Sequence, residues 1–251
     1  MRSHVLGELT SAELGRLAAE ATLVIPVGAT EQHGARLPVG TDAVVSERVA
    51  LRAAAGVTAP PALVAPVLAY GSSHHHLPFP GTLSLSSGTL LAVLGDLVAC
   101  AARTGFRRVV VFNGHGGNDD IIRQAARDAV LDHEITVAAA SYWTLGGERL
   151  VELAREAGIH HVPGHAGAFE AALLLALGTP PAPASPDDPP PGTRTPLEIE
   201  GGFVAEHGWI AAINGATDPV APATVEAGRR MLDHVVEAFT GFLTRFGARA
   251  R

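Results

Sequence analysis

The run Val109-Val110-Val111-Phe112 stops abruptly at Asn113-Gly114-His115-Gly116-Gly117-Asn118. Consecutive apolar, mostly β-branched residues without polar alternation suit a strand covered on both faces, as in a parallel sheet packed between helices. The same pattern recurs at Leu23-Val24-Ile25-Pro26-Val27, at Leu63-Val64-Ala65-Pro66-Val67 and at Ile135-Thr136-Val137-Ala138-Ala139. Amphipathic helical periodicity fills the intervals at 43–55, 88–104 and 119–131, and continues at 147–157 and 168–177. Strand and helix in alternation predict an α/β fold with a mostly parallel central sheet and helices on both faces.

The pattern lapses between 178 and 202, where Pro180, Pro181, Pro183, Pro186, Pro189, Pro190 and Pro191 oppose any regular element. This stretch reads as an ordered surface loop or a subunit arm, not a linker, because the amphipathic helix expected at 222–246 is too short to be a second domain. One domain over 1–251 is the expectation. Hydrophobic residues at 47% supply a sizeable core, and a formal charge of −7 without a basic block argues against a nucleic-acid or anionic-membrane partner. The longest apolar stretch, 89–102, is too short to span a bilayer and is interrupted by Asp96. The N-terminal residues lack the apolar core of a signal peptide, and the single Cys100 cannot form an intrachain disulfide. A cytoplasmic location fits both, and Cys100, within an apolar helical pattern, is expected to be buried and inert.

Chemistry gathers where strands end. The first strand is followed by Thr30-Glu31-Gln32-His33-Gly34 and then Gly40-Thr41-Asp42, and the central one by the His115 loop. Open parallel sheets bind ligands beyond the carboxyl ends of their strands. Carboxylate with imidazole suits Zn²⁺, Mn²⁺ or Fe²⁺ and suits Ca²⁺ poorly. Glu31 and His33 are two apart, so in extended chain they point the same way. Each also has a structural reading: a lone histidine after a strand is often a hydrogen-bonded framework residue, and Asp42 is placed to cap a helix. The glycines flanking His115 lack the Lys-Ser/Thr of a phosphate loop, and their expected role is close approach of backbone to ligand. Glu170, opening the apolar run 171–177, is either a helix-dipole charge or a further metal ligand. His165 at the mouth of that helix is a candidate proton donor. His74 and His75 read equally well as a solvated loop, with His76 the better candidate for the pocket.

Taken together, Pro26-Val-Gly-Ala-Thr-Glu31-Gln-His33-Gly, Gly40-Thr-Asp42, Phe79-Pro-Gly-Thr82, Asn113-Gly-His115-Gly-Gly-Asn118 and His165-Ala-Gly-Ala-Phe-Glu170 resemble the creatininase (creatinine amidohydrolase) family, over nearly the whole chain. The resemblance implies a three-layer α/β/α sandwich, often hexameric, that hydrolyses a C–N amide bond, frequently cyclic, with hydroxide shared between two divalent metal ions. By that match Glu31, Asp42 and His115 hold one ion, and His33 and Asp42 the other, with Asp42 bridging. His165 matches the acid/base histidine and Trp143 a tryptophan that closes over substrate, while His76, Gly116 and Gly117 line the pocket. Two departures stand out. Members that hydrolyse creatinine carry a Glu where this chain has Gly117, so Glu170 is inferred to supply the missing carboxylate. The Thr-Ser usual after that glutamate is here Ala171-Ala172. The expected substrate is therefore a small cyclic amide, lactam or formamide other than creatinine. The alternatives are a peptidase trimming a peptide-derived cofactor precursor of the mycofactocin type, and a non-catalytic ligand-binding homologue.

Overall fold

The computed structural model describes residues 3–195, 197 and 199–249. Four parallel strands form the sheet in the order β2-β1-β3-β4: β1 (Thr22–Val27), β2 (Ala62–Val64), β3 (Arg108–Asn113) and β4 (Thr136–Ser141). β1 and β3 pair over six residues, from Thr22 opposite Arg108 to Val27 opposite Asn113, so both strands end at one level. Side chains alternate across the sheet. Val24, Val110 and Phe112 pack on one face, against α2 (Thr41–Gly56), α5 (Tyr142–Glu156), α6 (Ala168–Ala176) and α8 (Val225–Arg249). Leu23, Ile25, Val109 and Val111 pack on the other, against α3 (Ser87–Arg103) and α4 (Asp119–Asp132), with α1 (Ser11–Leu17) at its margin. This is the three-layer α/β/α arrangement. Phe112 is fully buried and stacks on Phe239 of α8 with ring centroids 3.9 Å apart, a burial worth roughly 1.5–3 kcal/mol per ring.

Several boundaries differ from the expectation. β2 spans 62–64 rather than 63–67, because after Ala65 N donates to Val24 O the next N–H that β1 would direct at β2 falls at Pro26, which has none; contact resumes at one bridge, where Leu68 N donates to Pro26 O and Gly28 N to Leu68 O, both 2.9 Å. α5 starts at Tyr142, directly on the end of β4, and bends at Gly147, which takes φ 55°. α8 starts at Val225, where the Thr224 hydroxyl accepts from Ala227 N at 3.1 Å. A four-residue helix, α7 (Trp209–Ala212), was not expected.

Cys100 is exposed, not buried. The inward stripe of α3 is Leu90, Leu94, Val98 and Ala101, and Cys100 lies roughly 200° around the helix from Val98. Among the described residues of 178–202 there is no helix or strand, and the segment is tied down early by Ala182, whose N–H bonds Arg36 O and whose carbonyl accepts from Arg36 Nε, each at 2.8 Å. No helix among the described residues is long and apolar enough to cross a membrane.

Candidate metal centre

The strand ends and the start of α2 meet in unusually close contact, and glycines make this possible. A β-carbon on Gly28, just past β1, would run into the backbone of Ala43, and one on Gly114, just past β3, would lie 2.6 Å from Asp42 O. Asp42, in the first turn of α2, is thereby seated between the Glu31–His33 segment and His115. Two asparagines brace the β3 loop. Asn113 Oδ1 accepts from His115 N at 3.0 Å while its amide donates to His115 O at 2.7 Å. Asn118 donates to Gly28 O at 3.1 Å and accepts from Ser72 N at 2.9 Å, joining the β1, β2 and β3 loops.

The hydrogen bonds fix which ring nitrogens face the centre. His33 Nδ1 lies 3.1 Å from the carbonyl of Glu31, which only accepts, so Nδ1 carries the proton. Nε2 of neutral His33 is then bare, yet it faces Asp42 Oδ1 at 3.2 Å and Glu170 Oε1 at 3.6 Å. His115 Nε2 donates to Ser72 O at 3.2 Å, which leaves its Nδ1 facing Glu31 Oε2 and Asp42 Oδ2, both at 3.3 Å. Neither oxygen of Glu31 nor Oδ2 of Asp42 receives a hydrogen bond, although all three are buried. Lone pairs aimed at buried carboxylates repel unless a proton or a metal cation lies between them. Among the described residues the donor atoms form three close groups, Glu31–Asp42–His115, His33–His165–Glu170 and Glu31–His76–His165, and Asp42 faces His33 with one oxygen and His115 with the other. Each histidine also donates its outer N–H to a carbonyl, the arrangement that orients metal-ligating imidazoles.

Protonation reports the same field. Burial opposes charge on His115, but Glu31 and Asp42 overcome it and push the imidazole up to about 10. His33 is raised well above its ordinary value against the same burial, by Asp42 and Glu170. Asp42 is held well below the usual carboxylate range; burial opposes this, and His33 and His115 outweigh it. Burial raises Glu170 despite the pull of His33. His165 is lowered, first by burial and then by His33, and so is neutral.

Gln32 orders the next layer. Its Oε1 accepts from Gly34 N at 2.8 Å, so its amide nitrogen faces His76 Nδ1 at 2.8 Å and His165 Nε2 at 3.0 Å. His76 consequently turns Nε2 toward Glu31 Oε1 at 3.3 Å, and His165 Nδ1 lies 3.6 Å from that same oxygen. A cavity of about 60 Å³ opens on the centre, lined by Glu31, Asp42, His115, Gly116, Trp143, His165 and Glu170 together with Tyr142 and Gly164. Trp143 enters it from the junction of β4 and α5. Two expected pocket residues are elsewhere. His76 is buried behind Glu31, and Gly117 is pressed against the His115 ring, where a β-carbon would lie 2.5 Å from both His115 Nε2 and Ser72 O. His74 and His75 are exposed, but they lie in a 3-10 turn (His74–His76) rather than a loop, and the His75 ring stacks on His115 with centroids 5.7 Å apart. The sequence reading missed Gln32, Tyr142, the bracing role of Asn113 and Asn118, and the Thr217–Asp218 pair behind His165. Gln32 alone had a visible signal, its place between Glu31 and His33.

The chain is similar to known proteins over nearly its whole length. The family model described as creatinine amidohydrolase matches residues 7–243. The mycofactocin precursor peptide peptidase of Mycobacterium tuberculosis is 34% identical over 250 residues, covering 94% of this chain and 90% of that protein. The creatinine amidohydrolase of Pseudomonas putida is 34% identical over 223 residues, covering 79% and 81% respectively. A solved structure titled as manganese creatininase superposes with a TM-score of 0.79 at 27% identity, over 97% of this chain and 98% of that one.

Proposed function

The chain belongs to the creatininase family, and on that premise we propose that it is a metal-dependent amidohydrolase that cleaves the C–N amide bond of a small molecule such as a cyclic amide, lactam or formamide. The observation that carries the proposal is the convergence of two imidazole nitrogens, His33 Nε2 and His115 Nδ1, on the opposite oxygens of Asp42. Glu31, Asp42 and His115 would hold one divalent ion, and His33, Asp42 and Glu170 the second, with Zn²⁺, Mn²⁺ and Fe²⁺ the ions that suit these donors. Bound there, such ions supply Lewis acidity, which makes water nucleophilic near neutral pH and polarises the amide carbonyl.

The rest falls to the chain. His165, whose Nε2 lies 3.0 Å from both the main-chain oxygen and the side-chain amide nitrogen of Gln32, turns Nδ1 toward Glu31 Oε1 and the cavity; it takes a proton from the attacking water and passes it to the leaving nitrogen. Trp143 covers the substrate and limits water entry, and the Gly116 amide faces the developing oxyanion. The chain assembles as a homo-oligomer, a hexamer by resemblance, and works in the cytoplasm; exposed Leu197, Ile199 and Phe203 beside the Pro-rich stretch support a subunit arm.

A second reading, a peptidase acting on a cofactor-precursor peptide, is favoured by the extent of the match to the mycofactocin precursor peptide peptidase. Metal-loaded protein assayed against creatinine, lactams, formamides and the precursor peptide separates the two, and no turnover with two ions bound would favour a ligand-binding homologue. For the centre itself, His33→Ala should leave one ion per chain by metal analysis; two ions retained would refute the assignment. His165→Ala should keep both ions and lose turnover, and an unchanged kcat would remove its role.

A further inference from the structure

His165 and Glu170 belong to one short segment, and the segment is held from outside. Ala166 takes φ 57° and Gly164 φ 61°, backbone conformations that an alanine in particular adopts only under constraint. Within the segment, Ala166 N donates to Glu170 Oε2 at 2.6 Å, so Glu170 braces the turn with one oxygen and faces His33 with the other. The remaining constraint comes from Thr217 and Asp218, about fifty residues downstream. His165 N donates to Thr217 Oγ1, and Thr217 N donates to His165 O, both at 2.9 Å. Thr217 Oγ1 in turn donates to Asp218 Oδ1 at 2.7 Å. Asp218 Oδ2 accepts from Ala168 N, the first amide of α6, at 3.0 Å. Gly167 leaves room for this carboxylate, because a β-carbon there would collide with it. His161 Nδ1 lies 3.6 Å from Asp218 Oδ1 on the outer side. Neither Thr217 nor Asp218 lines the cavity.

We propose that Asp218, acting through Thr217 and the first turn of α6, is a positioning residue that holds His165 and Glu170 in register with Glu31 and His33. The carboxylate spans both ends of the segment: one oxygen fixes the threonine that grips His165, and the other fixes the helix start that aims Glu170. Without it, the strained turn at Ala166 relaxes and both side chains shift together, whereas Glu31, Asp42 and His115 stand on other elements and keep their places. The inference rests on the reading of Glu170 as a ligand of the second ion.

The test is a calorimetric titration of metal-stripped protein with Zn²⁺, comparing wild type, Asp218→Ala, Thr217→Val, Thr217→Ser and Glu170→Ala. Asp218→Ala and Thr217→Val should weaken the second ion ten- to a hundredfold, the range typical when outer partners of metal ligands are removed, while the first binds within about threefold of wild type. Thr217→Ser, which keeps the hydroxyl, should recover most of the second-ion affinity. Equal weakening of both ions, or a second ion unmoved in the two variants while Glu170→Ala loses it, overturns the positioning role. Two ions of unchanged affinity in Glu170→Ala would instead overturn the ligand assignment beneath it. Should Asp218→Ala not fold, the Thr217→Val and Thr217→Ser pair decides alone.

Discussion

Gly116 and Gly117 are neighbours with opposite surroundings. A β-carbon at Gly116 would meet nothing within 4 Å, whereas one at Gly117 would meet the His115 ring and the Ser72 carbonyl at 2.5 Å. Overfilling of this kind costs about 1–3 kcal/mol, and here the backbone carbonyl cannot swing away. Gly117→Ala should therefore lower the urea-unfolding free energy by about 2 kcal/mol, with Gly116→Ala within about 0.5 kcal/mol of wild type; equal effects would show that the His115 ring moves freely. It follows that a carboxylate at 117 cannot be added without displacing His115, which leaves Glu170, on a different element, as the acid nearest His33 apart from Asp42. The acids and histidines of this centre were legible in the sequence because polar residues placed directly after apolar strands have few structural reasons to recur. The bracing residues were not. Gln32 meets His76 and His165 at separations of 44 and 133 residues, and Thr217 meets His165 across 52, distances over which no local pattern carries information.

Among the helices, α6 and α8 make the tightest crossing. A β-carbon on Gly228 would collide with the carbonyl of Ala172 and lie 3.1 Å from the β-carbon of Ala176. Ala171 and Ala172, where the family resemblance leads one to expect Thr-Ser, are both buried, and Ala172 lies in this crossing. Since α6 carries Glu170 in its first turn, the crossing also sets how far that carboxylate reaches toward His33. Gly228→Ala should lower the thermal midpoint by several degrees, about 2–4 °C per kcal/mol for a chain of this size, and should weaken the second metal ion more than the first; a midpoint unchanged by the substitution would mean that the two helices separate at little cost. Strand and helix order was readable from hydrophobic period because each element buries a defined face. Element ends were less so. Pro26, without an N–H to donate, cut the β1–β2 ladder short, and Cys100 was misplaced because its helix is apolar on more than its inward stripe, as the 40% exposure of Leu97 also shows.

At the scale of the whole molecule, the candidate metal centre borders one apolar core, since Tyr142 both lines its cavity and belongs to the cluster packed under α2, α5, α6 and α8. The bulk of both clusters that flank the sheet is built from residues outside the cavity lining, so most of the packing that defines the fold stays in place when metal is removed. Removal does leave three buried carboxylates crowded together, with only His33 and His115 to neutralise them by holding protons. Each ion present at about a hundredfold over its dissociation constant adds about 2.7 kcal/mol to folding, so two add about 5 kcal/mol, equivalent to a rise in midpoint of about 10–20 °C. Stripping the protein with a chelator should therefore lower the melting temperature by that amount while leaving the far-ultraviolet circular dichroism at 25 °C unchanged, and adding back Zn²⁺ or Mn²⁺ should restore it. In His33→Ala the chelator-sensitive increment should fall to about half, because only the Glu31–Asp42–His115 group remains to bind. Loss of helical signal on chelation would mean that the centre organises the fold, and an unmoved midpoint would mean that these donors hold no ion.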